Sequence, residues 1–93
     1  MGKYTLEISS RARKELQNHY KSGKKSDFRK IEQNFYELSM TPYKGTGNPD
    51  PLKYHLSGYW SRRFNRNDRI INRVFEDRVL VLVVSAIGHY GDK

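Results

Sequence analysis

The chain has no cysteine, so neither a disulfide nor a thiolate metal site is available to it, which fits a reducing compartment. It has only three prolines, Pro42, Pro49 and Pro51, and two of them bracket a single acid, Asp50. Long apolar runs are missing: the longest, "VLVLVV", is far too short to span a bilayer. The opening "MGKYTLEISS" has no apolar run either, which argues against a signal peptide and for a cytoplasmic protein without a membrane partner. Acid is scarce as well. Eighteen Lys and Arg stand against ten Asp and Glu, leaving a net charge of +8 and favouring a polyanionic partner, either a nucleic acid or an acidic protein.

What is present suffices for one small domain over residues 1–93, with a core drawn largely from Tyr, Phe and β-branched residues. "KYTLEI" alternates Tyr4, Leu6 and Ile8 against Lys3, Thr5 and Glu7, the pattern of a half-buried strand. "SSRARKELQNHYKSG" predicts a helix capped by Ser9 or Ser10, with Ala12, Leu16 and Tyr20 as a narrow apolar stripe and Gly23 at its end. "SDFRKIEQNFYELSM" predicts a second helix with Ser26 as its cap and Phe28, Ile31, Phe35 and Leu38 on one face. The short "KSGKK" between them suggests a helical hairpin.

The remainder reads as strands: "LKYHL", a turn at "SG", "YWSRRF", a turn at "NRND", "RIINRVF", a turn at "EDR", and "VLVLVVSA". The last is apolar on both faces and is expected in the centre of the sheet. The order β-α-α-β-β-β-β predicts an α+β fold, an antiparallel sheet with the helical hairpin packed on one face. The other face is then open to a ligand. Strand alternation sets Lys53 and His55 on one side, and Arg63 with Ser61 on the side opposite Trp60 and Arg62.

Several residues carry candidate chemistry, each with a plainer alternative. Asp50 is either an ordinary turn residue or, on a backbone narrowed by its flanking prolines, a general base near a ribose hydroxyl. "GTGNP" lacks the spacing and the following Lys-Ser/Thr of a P-loop and reads as a flexible turn. His89, in "SAIGHYGDK", is a solvated tail residue or a general acid, and Tyr90 beside it stacks on a base or packs on the sheet. His19 reads as a helix-surface residue and His55 is ambiguous; no spacing among the three histidines makes a metal site, and no cofactor is expected. Tyr59 and Trp60 beside Arg62 and Arg63 resemble a single-stranded nucleic-acid platform, although Trp60 reads equally well as core.

The run "GTGNPDPLKYHLSGYWSRRFNRNDRIINRV", followed by a terminal "HY", resembles the Txe/YoeB family of toxins within the RelE superfamily of type II toxin–antitoxin systems. The resemblance implies a microbial-ribonuclease-like α+β sheet. It also implies a ribosome-dependent endoribonuclease that cuts mRNA in the ribosomal A site without a metal, leaving a 2′,3′-cyclic phosphate. Its partners would be the 70S ribosome, mRNA and a cognate acidic antitoxin, with a homodimer as a further possibility. Carried over by residue, the family's general base falls on Asp50, its transition-state arginine on Arg69 and its histidine acid on His89. Phosphate contacts fall on Lys53 and Arg63, and the terminal aromatic on Tyr90. The chain departs from the better-known members in two places. They carry Glu where Asp50 stands, and Asp is one methylene shorter, so the substrate must sit closer or a water must bridge. The tail adds Gly91, Asp92 and Lys93 beyond the usual His-Tyr ending. Two other readings stand beside this one. One is an RNA- or ribosome-binding inhibitor of the same fold that does not cut; the other is a DNA-binding regulator, disfavoured because no helix-turn-helix pattern is found.

Overall fold

The computed structural model of the protein describes residues 3–22, 25–45, 47 and 49–86, with Ser22 described by its backbone alone. The chain enters on strand β1, Thr5–Ile8, and passes directly into helix α1, Ser10–Ser22. Ser9 is the cap: its Oγ accepts the Ala12 N–H at 3.1 Å and donates to the Val84 carbonyl at 3.0 Å, fastening the helix start to the sheet. Helix α2, Lys25–Met40, starts one residue ahead of the expected cap, and Asp27 in its first turn complements the positive end of the helix dipole.

Four further strands follow: β2, Asp50–Pro51; β3, Tyr59–Arg63; β4, Arg69–Phe75; and β5, Leu80–Ser85. They form a five-stranded sheet in the order β1-β5-β4-β3-β2. The sheet is mixed, not wholly antiparallel: β1 runs parallel to β5, pairing Leu6 with Val81 and Ile8 with Val83, while every other pair is antiparallel. Helices α1 and α2 carry the chain from β1 at one edge of the sheet to β2 at the other, and the strands then return one by one to β5 beside β1. The apolar β5 is interior, flanked by β1 and β4, and β4 holds the middle position.

Both helices cover one face. Ala12 and Leu16 of α1 and Ile31 and Leu38 of α2 form a buried cluster with Ile70, Val81, Val83 and Phe64. Tyr20, expected at the end of the α1 stripe, is 44% exposed and packs instead against Phe28 of α2, ring centroids 4.9 Å apart. Among the described residues, the opposite face of β3 and β4 carries no helix.

The largest difference from expectation is the "LKYHL" strand. Pairing with β3 ends after Pro51, apart from one further bond from the Leu52 N–H to the Tyr59 carbonyl at 2.9 Å. A 3-10 turn at Tyr54–Leu56 follows, entered through Tyr54 at φ 60° with its ring 88% exposed. The reason lies in the edge position: Pro51 has no N–H to offer a further strand, and a left-handed residue cannot continue a pleat. Lys53 and His55 therefore do not share a sheet face.

Candidate functional site

The open face acquires its chemistry from strand alternation. Along β3, Tyr59, Ser61 and Arg63 point away from the helices, and along β4 so do Arg69, Ile71 and Arg73. Register places Arg63 directly opposite Arg69, Ser61 opposite Ile71 on one side and opposite Asp50 of β2 on the other. Pro49, Asp50, Ser61, Arg63 and Arg69 thus line one cleft of about 250 Å³.

The turn between β3 and β4 fixes the two arginines. Asn65 Oδ1 accepts the backbone N–H groups of Asn67 and Asp68 at 2.8 and 2.7 Å, and its Nδ2 donates to Asp27 on α2 at 3.1 Å and to Asp68 at 3.0 Å. Phe64 N–H closes the hairpin on the Asp68 carbonyl at 3.2 Å, and the Phe64 ring is 1% exposed in the core. The two ends of the hairpin are therefore rigidly spaced, with one guanidinium on each.

Among the described residues, neither Arg63 nor Arg69 forms a salt bridge. Two in-register cations without a counter-charge cost stability, since like charges directly opposite on a sheet repel. A bound anion would remove that cost. The Asp50 carboxylate stands on the wall of the same cleft, on an exposed edge strand. An acid beside two guanidiniums can take a proton where negative charge is being stabilised.

The other expected site residues are placed as follows. Lys53 is exposed, three residues beyond Asp50, and is not among the described residues lining the cleft. His89 and Tyr90 lie outside the described residues. Trp60 is on the helix side of β3, half-buried, its ring tilted against Tyr43 at 5.1 Å. His55 is exposed on the 3-10 turn. His19 is not a free surface residue: its Nε2 meets the Ala86 carbonyl at 2.9 Å and its ring stands edge-on to Phe64 at 5.1 Å.

Two features of the site escape a reading of the sequence alone. Ser61, 4% exposed, sits between Asp50 and Ile71 as the floor of the cleft. Its signal is its place two residues before Arg63 in an alternating strand. Arg62, counted by composition among the cations of this stretch, is fully buried on the other side of the sheet and paired with Glu37 at 2.6 Å. Burial pulls its guanidinium below the ordinary value and the Glu37 carboxylate pushes back.

"Toxin YoeB" of Escherichia coli K12 is 40% identical over 53 residues, 57% of this chain and 63% of the relative, so the match spans less than two thirds of that protein's length. A YoeB/ParE toxin from Agrobacterium tumefaciens superposes with a TM-score of 0.83 at 27% identity, covering 92% of this chain and 99% of the other. Two structures from Staphylococcus aureus, a YoeB dimer and a YoeB–YefM complex, superpose at 0.79 and 0.78, each 25% identical, covering 95% and 94% of this chain and 99% and 98% of theirs. The family model describing a YoeB-like toxin of bacterial type II toxin–antitoxin systems matches residues 11–90, and the chain belongs to that family.

Proposed function

We propose that this protein is a ribosome-dependent endoribonuclease that cuts mRNA in the A site and so arrests translation. The observation that supports the reading most directly is the cleft that Asp50, Arg63 and Arg69 line together on the side of the sheet away from the helices. Asp50 takes the proton of a ribose 2′-hydroxyl, whose oxygen attacks the adjacent phosphorus. The phosphorane gains negative charge as it forms, and the two guanidiniums, fixed before the substrate arrives, stabilise that charge without reorganising. The 5′ oxygen of the next nucleotide leaves with a proton, for which His89 is the candidate donor. The product is a 2′,3′-cyclic phosphate, and every proton in the scheme is carried by a side chain of this chain. Lys53 and Tyr90 are the candidate outer contacts, to phosphate and base.

The partner side of the proposal rests on charge. A net +8 chain with two arginines in a solvent-facing cleft that form no ion pair among the described residues suits an acidic antitoxin segment, which would occlude the site while it is bound. The YoeB–YefM complex of S. aureus supports a protein partner of this kind, and the YoeB dimer from the same organism supports a homodimer of the free protein.

The test is cleavage of a defined mRNA on purified ribosomes by wild type, Asp50→Ala and His89→Ala. A cut at the A-site codon that needs ribosomes and disappears in both variants supports the scheme. Arrest with intact mRNA, unchanged by either substitution, would make the protein a binder on a nuclease fold.

A further inference from the structure

A general base must be held to a fraction of an ångström, and loops hold groups less precisely than helices or strands do. Asp50 sits at the end of a loop leaving α2, in a strand that pairs with β3 over just the two residues of β2. That loop is gripped from beneath. Arg62 Nη2 donates to Glu37 Oε1 of α2 at 2.6 Å and to the Lys44 carbonyl at 3.0 Å. One buried side chain thereby ties together the helix, the sheet and the first half of the loop.

The loop backbone lies directly on this pair. A Cβ placed on Gly45, at φ +115°, would run into Glu37 Oε1 and stand 2.9 Å from Arg62 Nη2. One chain position along from Arg62, the grip continues: the Arg63 N–H donates to the Gly47 carbonyl at 2.7 Å, and Asn34 Nδ2 of α2 donates to the Arg63 carbonyl at 3.0 Å. A buried ion pair is a poor source of stability, since desolvation offsets most of the attraction and apolar side chains of similar volume often serve as well. Its contribution here is direction.

We infer that Arg62, held by Glu37, is the positioning residue for Asp50: from the covered side of the sheet it fixes the loop that carries the candidate base, without touching substrate. The inference rests on the ribonuclease reading above and adds to it a control point on the opposite face.

The test compares wild type with the double variant Arg62→Met/Glu37→Leu, which removes the tie but refills its volume with apolar atoms. Three quantities are read: thermal midpoint, single-turnover cleavage of mRNA on programmed ribosomes, and amide hydrogen exchange. A base misplaced by about 1 Å can lose on the order of 100-fold in rate, so the maximal rate should fall by roughly 10- to 100-fold with half-saturation within about twofold of wild type. The Arg63 amide, whose acceptor is the loop carbonyl of Gly47, should exchange faster while Val81 and Val83 stay protected. Arg62→Lys, which keeps the charge but not the fork, should fall between the two. A wild-type maximal rate in the double variant, or unchanged protection of Arg63, overturns the inference; so does faster exchange throughout β4 and β5, which would mark a purely structural role. If wild type itself does not cut, the ribonuclease reading fails, and the exchange of Arg63 still decides whether the tie holds the loop.

Discussion

Arg63 and Arg69 face each other across neighbouring strands with no carboxylate bound to either among the described residues, one sheet row away from the pair formed by Asp50 and Ser61. The hairpin turn at Asn65–Asp68 holds them there, and the repulsion between them is a standing cost that an RNA phosphate would relieve. A local rule broken in this way is expected at a functional site.

The pair should therefore behave as charge on a transition state and not as fold. Arg69→Ala should lower the cleavage rate by about 10²- to 10³-fold, the range for loss of a fixed donor aimed at developing negative charge. Thermal stability should hold or rise, because a like-charge contact is removed. A midpoint drop large enough to unfold the protein at assay temperature would instead make Arg69 structural.

Asp50 can be tested by length as well as by charge. Asp50→Asn keeps the shape and removes the base, and should cost roughly 10²- to 10⁴-fold. Asp50→Glu extends the carboxylate by one methylene from the same exposed strand and should keep the rate within about tenfold of wild type. Asp50 is exposed on the wall of the cleft, which leaves room for the longer side chain among the described residues. Equal rates for Asn and wild type would remove Asp50 from the mechanism.

The loop that carries Asp50 requires glycine at position 47. Its φ is +87°, and a Cβ there would stand 2.6 Å from the Arg63 carbonyl oxygen and 2.9 Å from Asn34 Oδ1. Gly47→Ala should destabilise the protein by about 1–3 kcal/mol, the usual cost of a strained backbone position. Urea denaturation would measure it; an unchanged midpoint would mean that the loop relaxes freely.

A second cluster, away from the cleft, sets a dependence of stability on pH. Tyr43 donates to Glu76 Oε2 at 2.6 Å, and Tyr4 reaches both carboxylate oxygens at 2.9 and 3.0 Å. These bonds, Tyr43 first, hold Glu76 below the usual carboxylate range, while burial and the Glu76 bond push the Tyr43 hydroxyl up to about 12. A depressed carboxylate stabilises the fold above its unfolded value and loses that contribution as pH falls through its folded value. A raised phenol stabilises below its unfolded value, about 10, and loses the contribution as pH rises from there. Wild type should therefore exceed Glu76→Gln in thermal midpoint across roughly pH 5–10, with the gap closing toward both extremes. A gap that stays constant with pH would show that the charge of Glu76 contributes nothing.

The elements that report themselves in the sequence are those whose pattern is local. The stripe Ala12–Leu16 and the row Ile31, Phe35 and Leu38 mark the covered faces of the helices, and alternation in "YWSRRF" places Ser61 and Arg63 on one side of β3. Alternation says nothing about direction, so the parallel return of β1 beside β5 is invisible to it. It also misleads at "LKYHL", where the left-handed Tyr54 interrupts the pleat. The fate of Arg62 depends on Glu37, twenty-five positions away, and no period in the sequence links the two. The same holds for Asn34, fully buried on the helix face, and for His19 against Ala86.

The central claim is that the Asp50–Arg69 cleft cuts mRNA. The most direct measurement is primer extension on a defined mRNA translated in a purified cell-free system, with wild type, Asp50→Asn and Arg69→Ala side by side. The expected result is a discrete cut at the A-site codon that requires ribosomes and is lost in both variants. Translation arrested by all three proteins with the mRNA intact would contradict it.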